Sequence, residues 1–265
     1  MNIIIRPSSL PGWADCQRRT AARIAPQLVK DMGYDLRQLP QRVGPAVGTA
    51  THAAVAHTMQ AKIDTGSSAN QTETEQVGLD ALDKSIEYGV EWDGVSPNLN
   101  TSQKQVIRHY RVFRIHLEDS IRPRTVERRI EKVTKRGNML SGQPDQTDDG
   151  VHDLKTGVAR RVNIAQYGGY ALLLRADGDP AQHITEDYIQ RVAIDREQPV
   201  PQQIPYNVDL AERVAGAIIM DIERTFEIFE REGDNLVFAA NPGSMLCSDR
   251  WCVAYGTDFC EEGRR

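Results

Sequence analysis

The hydrophobic pattern changes period several times along the chain. Residues 125–133 alternate apolar and polar side chains, 139–147 and 151–156 read the same way, and the three together predict a meander of strands. Lys135-Arg136-Gly137-Asn138 supplies the first turn of that meander. Helical spacing covers 75–90, 102–121, 162–176 and 208–232. An alanine-rich stretch at 47–63 predicts a further helix able to pack closely on one side. Near the start, 3–5 reads as a short strand or an extended arm. Ser8-Ser9 with Pro11 then predicts a capped helix running through Trp13 and Cys16 to about residue 24. Residues 188–194 predict one more strand. Gly- and Pro-punctuated stretches at 32–47 and 195–207, and the polar run 64–74, read as connectors. The tail from 238 is turn-rich. Helices, then a three-strand meander, then a helix and another strand give an α+β or mixed α/β fold.

Composition narrows the class. At 265 residues and 40% hydrophobic content the chain can bury a core, read here as one domain over 1–265 centred on about 122–206. No apolar run approaches the roughly 18 residues of a membrane helix, and the opening Met-Asn-Ile-Ile-Ile-Arg-Pro lacks signal-peptide patterning, so a cytoplasmic protein is expected. A net charge of −5 speaks against nucleic-acid binding over the whole surface. Residues 104–136 nevertheless carry a net +7. That run is either a solvated face or a phosphate-tracking groove, with Arg128 and Lys132 as candidate DNA contacts.

The densest chemistry lies at 142–157. Asp148-Asp149-Gly150 is turn chemistry, with Gly150 suited to positive φ. A three-residue loop there sets Thr147 opposite Val151 and Asp145 opposite Asp153. A two-residue loop would shift the pairing by one. Asp153 and Lys155 share a face, with Leu154 on the other. Two facing carboxylates repel, and a divalent cation is the simplest neutraliser.

Pro144-Asp145 followed by Asp153-Leu154-Lys155 resembles the core of the PD-(D/E)xK nucleases. Gly48-Thr49-Ala50-Thr51-His52 resembles the G-x-x-x-H helix of the RecB-like branch, although a lone histidine in an alanine-rich helix is by itself a packing residue, and His57 is a nearby competitor. Gln166-x-x-x-Tyr170 resembles a third motif of that branch, its i, i+4 spacing placing both side chains on one helix face. Cys16, in a Ser-x-Leu…Cys context, together with Cys247-x4-Cys252-x7-Cys260, resembles the four-cysteine arrangement of the iron–sulfur RecB-like exonucleases. These include the AddB nuclease domain and the CRISPR-associated exonucleases. The tail spacing is wider than the C-x2-C-x5-C of many members.

The resemblance implies a restriction-endonuclease-like core with a mixed sheet flanked by helices. It implies Mg²⁺ or Mn²⁺ held by His52, Asp145, Asp153 and the Leu154 carbonyl, with Glu127 as a further ligand and Glu131 equally spaced. Lys155 would assist water attack, and Gln166 and Tyr170 would hold the DNA strand. The four cysteines would hold a [4Fe-4S] cluster that clamps the first helix to the tail, with structural Zn²⁺ as the rival. The implied activity is exonucleolytic hydrolysis of single-stranded DNA or duplex ends in recombination, repair, phage replication or CRISPR adaptation. A helicase, recombination or CRISPR-adaptation partner is expected, and the host cytoplasm if phage-encoded. A silent DNA- or partner-binding module and a restriction-type endonuclease are the alternatives on the same fold.

Overall fold

The computed structural model describes residues 3–264. Strand β1 (Ile4–Ile5) leads into helices α1 (Leu10–Asp15), α2 (Gln17–Ile24) and α3 (Pro26–Asp31). Three longer helices follow, α4 (Val43–Thr65), α5 (Gln71–Ile86) and α6 (Leu99–His116). Strands β2 (Thr125–Val126), β3 (Ile130–Val133), β4 (Met139–Gly142), β5 (Gln146–Thr147) and β6 (Val151–Gly157) precede α7 (Ile164–Asp177). The chain then forms β7 (Ile184–Gln190), β8 (Gln202–Tyr206) and α8 (Val208–Glu232), and ends in a tail of turns.

Local chemistry explains most helix ends. Asn70, Asn98 and Asn207 cap α5, α6 and α8 by accepting from the amides of Glu73, Thr101 and Leu210. The glycines after α4 and α8, Gly66 and Gly233, take φ of 76° and 69°, conformations glycine adopts without penalty. Pro45 falls inside the first turn of α4, where a missing N–H breaks no helical bond, so the helix starts four residues before the expected position.

Several expectations are corrected. The first helix is broken at Cys16, which is extended at φ −154° and ψ 107°. Ser9 makes no cap, since Pro11 stands at the second helical position without an amide to offer; its hydroxyl donates to the Arg6 carbonyl instead. The strand read at 125–133 is two strands in two sheets, separated where Glu127 takes φ +46°. The strand read at 139–147 breaks at Gln143-Pro144-Asp145, because Pro144 has no ladder donor. The strand read at 188–194 runs instead over 184–190. Edge strand β8 occupies part of the supposed connector, with Pro205 tolerated at the edge.

One sheet has the order β1-β4-β3, the other β2-β5-β6-β7-β8. β6 and β7 are parallel, and the remaining neighbours in the larger sheet are antiparallel. Leu154 and Ile189 pack against Ala54, Val55, Tyr110 and Phe113 of α4 and α6. Val151 and Ile184 point into the larger core with α1, α7 and α8. The larger sheet therefore lies between two helical layers, and α7 follows β6 directly to its own place in the core.

Gly168 and Gly169 allow α7 to be approached from two sides. A Cβ on Gly168 would lie 1.9 Å from the Ala211 carbonyl oxygen of α8, and one on Gly169 would lie 2.9 Å from Pro7. Gly168→Ala should therefore force α7 and α8 apart and lower stability by about 3 kcal/mol or more, read as a drop in the urea midpoint at unchanged m-value. Gly216→Ala on α8, which meets nothing within 4 Å, is the matched control and should be neutral or mildly stabilising.

Candidate active site

The β5–β6 register pairs Gln146 with His152 and Thr147 with Val151, so Asp145 and Asp153 come next in line across the hairpin. The turn is closed by the Asp148 carboxylate, which accepts from the Gly150 amide at 2.8 Å. Gly150 is not at positive φ. Glycine is needed there for space: a Cβ would stand 2.2 Å from the His183 carbonyl oxygen.

Beyond the short β5, the Asp145 side chain takes over from the ladder. Its Oδ2 accepts the Leu154 amide at 2.7 Å, and its Oδ1 lies 3.1 Å from His52 Nδ1. His52 arrives on α4, one turn after Gly48, where a Cβ would press Thr156 at 3.0 Å. His57 faces Glu73 of α5 at 3.9 Å and is outside the site. Asp153 is 1% exposed and pairs with Lys155, while its Oδ1 accepts from Gln166 Nε2 at 3.3 Å. Gln166 also donates to the Tyr170 hydroxyl at 3.2 Å. Gln166 and Tyr170 are both buried, so they stand behind Asp153 instead of facing solvent. The Glu127 amide donates to the Asp145 carbonyl at 3.0 Å, and its side chain helps line a recess with His52, Asp145 and Leu154. Glu131 is elsewhere, on β3, accepting from Ser141.

The electrostatics follow the burial. Desolvation pushes the Asp153 carboxyl up to about 6, opposed by Lys155 and reinforced by Asp145. Burial also disfavours the Asp145 carboxylate, but His52 and Lys155 outweigh it and hold its pKa below the ordinary value. Lys155 is pulled down by burial and up by Asp153 and Asp145, with a net rise. Asp153 Oδ2 has the Lys155 ammonium as its one partner. A buried and a half-buried carboxylate, next to an imidazole and a single ammonium, are a donor set that fits a hard divalent cation.

Neighbouring Glu186 of β7 was not foreseen. It is fully buried, yet Arg160 pairs with it at 2.6 Å and the Tyr167 and Tyr206 hydroxyls donate to it. Its register opposite Asp153 was available only from a parallel pairing that the sequence did not reveal.

The site opens into a cleft of about 880 Å³ between the start of α4 and the 156–163 segment, with Lys155, Arg161 and Trp251 among its lining residues. Trp251 was also not foreseen. It lies in the spacer between Cys247 and Cys252, and the Arg42 guanidinium stacks 3.8 Å from its ring centre. The four cysteines are free thiols around one small cavity, which Arg19 and Tyr255 also line. Burial raises the Cys247 and Cys252 thiols. Four thiols from both ends of the chain converging without a disulfide fit a tetrathiolate centre, whether iron–sulfur or zinc.

Arg128 and Lys132 are not brought to the cleft. Arg128 pairs with Asp177 and Asp179, and Lys132 pairs with Asp177 at 2.8 Å. These acids lie at the end of α7 away from Gln166, roughly 16 Å along its axis. Much of the 104–136 positive charge is spent in the same way: Arg111 pairs with Glu75, Arg124 with Asp149 and Arg136 with Glu227. Arg108 donates to carbonyls of residues 192–196.

The raised Asp153 pKa has a sign that can be tested. Between about pH 4 and 6 the folded protein holds a proton there that the unfolded chain releases, so this contribution to stability is lost as pH rises. In EDTA, wild type should therefore lose stability relative to Asp153→Asn as pH is raised from about 4 to about 7, measured by chemical denaturation. A difference that stays flat with pH would show an ordinary carboxylate.

Residues 7–254 match the family profile of the PD-(D/E)XK nuclease superfamily. No curated protein matches the chain. Among solved structures, the crystal structure of a "Putative exonuclease" from Eubacterium rectale superposes with a TM-score of 0.57 at 11% identity, over 92% of this chain and 86% of that one. At that identity the superposition speaks for the fold alone. The profile covers nearly the whole chain, including the Asp145 and Asp153-x-Lys155 hairpin, and the protein is a member of the PD-(D/E)XK nuclease superfamily.

Proposed function

We propose that the protein is a metal-dependent DNA exonuclease that takes a single strand, or the frayed end of a duplex, into the cleft above Asp145 and Asp153. The observation that carries this reading is the convergence of buried Asp153 with Asp145, His52 and Lys155, of which His52 and Lys155 line the cleft. His52, Asp145, Asp153 and Glu127 would hold Mg²⁺ or Mn²⁺. The Leu154 carbonyl would join them: its amide points at Asp145, and in an extended strand the carbonyl of the same residue faces the same side. A bound divalent ion supplies Lewis acidity at the phosphate and lowers the pKa of an attacking water.

The chain's own groups do the rest. The Lys155 ammonium, held by Asp153, donates to charge developing on the phosphoryl oxygens as water adds to phosphorus and the ester oxygen leaves. Gln166, supported by Tyr170, fixes the carboxylate plane of Asp153 and thereby positions it. Arg161 and Trp251, which both line the cleft, would give the strand a phosphate partner and an aromatic surface. The four cysteines would hold an iron–sulfur cluster whose role is structural, keeping the tail and its tryptophan against the body.

Labelled single strands, linear duplex and covalently closed circles, each with Mg²⁺, Mn²⁺ or EDTA, test the activity. Linear substrates should be degraded only with metal, and circles should survive. Cutting of the circle would make the protein an endonuclease, and inertness on every substrate would leave a binding module. Lys155→Ala should lower kcat about 10³-fold with strand binding retained. Full activity of that variant with Mn²⁺ would remove the lysine from the chemistry.

The tail gives a coupled prediction. Purified protein should be brown, with broad absorbance near roughly 400 nm. Cys16→Ser should bleach that colour and lower thermal stability. It should also raise KM by about the tenfold expected of Trp251→Ala, since both remove the same wall of the cleft. A colourless protein with stoichiometric zinc would assign the thiols to zinc.

A further inference from the structure

A second cluster of metal-ligating side chains lies on the other face of the hairpin. His152 precedes Asp153, so its side chain points to the opposite side of the sheet. There it meets Asp148 from the β5–β6 turn and His183 from the segment before β7. His152 Nε2 lies 3.2 Å from Asp148 Oδ2, His183 Nε2 lies 3.1 Å from Asp148 Oδ1, and the two Nε2 atoms are 3.4 Å apart. Ligand atoms about 2.0–2.1 Å from a tetrahedral zinc ion stand roughly 3.3 Å from one another. The separation of the two imidazole nitrogens has that size, and each of them lies at a similar distance from a different oxygen of Asp148.

The surroundings are built like a metal site's outer shell. His152 is buried, and its other nitrogen, Nδ1, faces Asp187 Oδ2 at 3.3 Å. Asp187 is 1% exposed and is itself held by Gln203 of β8, whose Nε2 donates to Oδ1 at 2.9 Å. A carboxylate on Nδ1 fixes the imidazole tautomer and turns the Nε2 lone pair towards Asp148 and His183. With a carboxylate facing each ring nitrogen, His152 without a cation would have to carry both protons. A cation at the centre replaces the second proton, taking the Nε2 lone pairs of both histidines and the Asp148 carboxylate together. His183 is partly exposed, which leaves an entry path.

We propose that Asp148, His152 and His183 bind a zinc ion that staples the β5–β6 turn to the start of β7. Two imidazoles and one carboxylate favour zinc over Mg²⁺, which prefers an all-oxygen shell. The staple ties three pieces of chain already in close contact. The Val151 amide donates to the His183 carbonyl at 3.0 Å, and the Gln182 amide donates to the Asp149 carbonyl at 2.8 Å. By holding the turn, the ion fixes the register that sets Asp145 across from Asp153. It is chemically distinct from the divalent ion assigned to those aspartates.

The test reads metal content and stability, so it does not depend on nuclease activity. The full-length protein, with its thiol site as purified, is titrated with Zn²⁺ beside His183→Ala and Asp148→Asn. His183 is the outermost ligand, and its loss should leave the fold intact. Wild type should bind one more zinc equivalent than either variant, with at least about 100-fold weaker binding in the variants, and only wild type should gain melting temperature on zinc addition. Co²⁺ at that extra site should show visible bands without the strong near-ultraviolet absorption of thiolate ligands. Mg²⁺ should not compete. Equal zinc content and equal thermal shifts in all three folded proteins, or a thiolate signature on the extra equivalent, would overturn the assignment.

Discussion

The structure is organised around a carboxylate that burial makes uncomfortable. Asp153 sits within a sheet covered on both sides, with Asp145 next to it and a single ammonium to offset the two charges. Removing a charge from water is tolerable only where opposite charge or hydrogen bonds replace the lost solvation. Each nearby element contributes part of that replacement: Lys155 from the same strand, Gln166 from the following helix, and His52 on Asp145 from α4. Glu186, one strand over, is handled separately by Arg160 and two tyrosines, which keeps a third carboxylate from adding to the conflict.

Placement of these groups depends on helices lying unusually close to their neighbours. Gly48 allows α4 to rest against Thr156, and Gly168 lets α7 touch the backbone of α8. Gln166 is two residues before that contact, so its reach to Asp153 is set by helix–helix packing. Glu127 shows another constraint. Its left-handed backbone ends β2 and redirects the chain to the smaller sheet, and non-glycine residues hold that conformation at a penalty of about 1–2 kcal/mol. The turn also hangs Glu127 beside Asp145, so a single strained residue both divides the sheets and faces the cleft.

The parts of this arrangement visible in the sequence were those encoded by neighbours in the chain. The Asp148-Asp149-Gly150 turn signal marks the loop, and of its two possible lengths the three-residue one sets Asp145 across from Asp153. The helical spacing over 208–232 coincides with α8. The break at Cys16 was not visible because no glycine or proline stands beside it to interrupt the helical pattern. β8 was hidden because an edge strand shows little alternation and carries a proline. The destinations of Arg128 and Lys132 were not legible either, since a run of cations does not name the acids that will meet it. Trp251 reads as one aromatic in an aperiodic tail until the fold carries that tail back to α4.

The internal neutralisation of residues 104–136 bears on ionic strength. A protein that grips DNA through many free cations gains most of its affinity by releasing counterions, and loses it steeply as salt is added. Here Arg111, Arg124, Arg128, Lys132 and Arg136 already have carboxylate partners. On the proposed reading, a strand entering the cleft meets few free cations and releases few ions. Its binding would follow a shallow salt slope, with stacking and coordination in place of long-range attraction. Such an enzyme would find its ends by local capture, instead of sliding along the duplex on a cushion of positive charge.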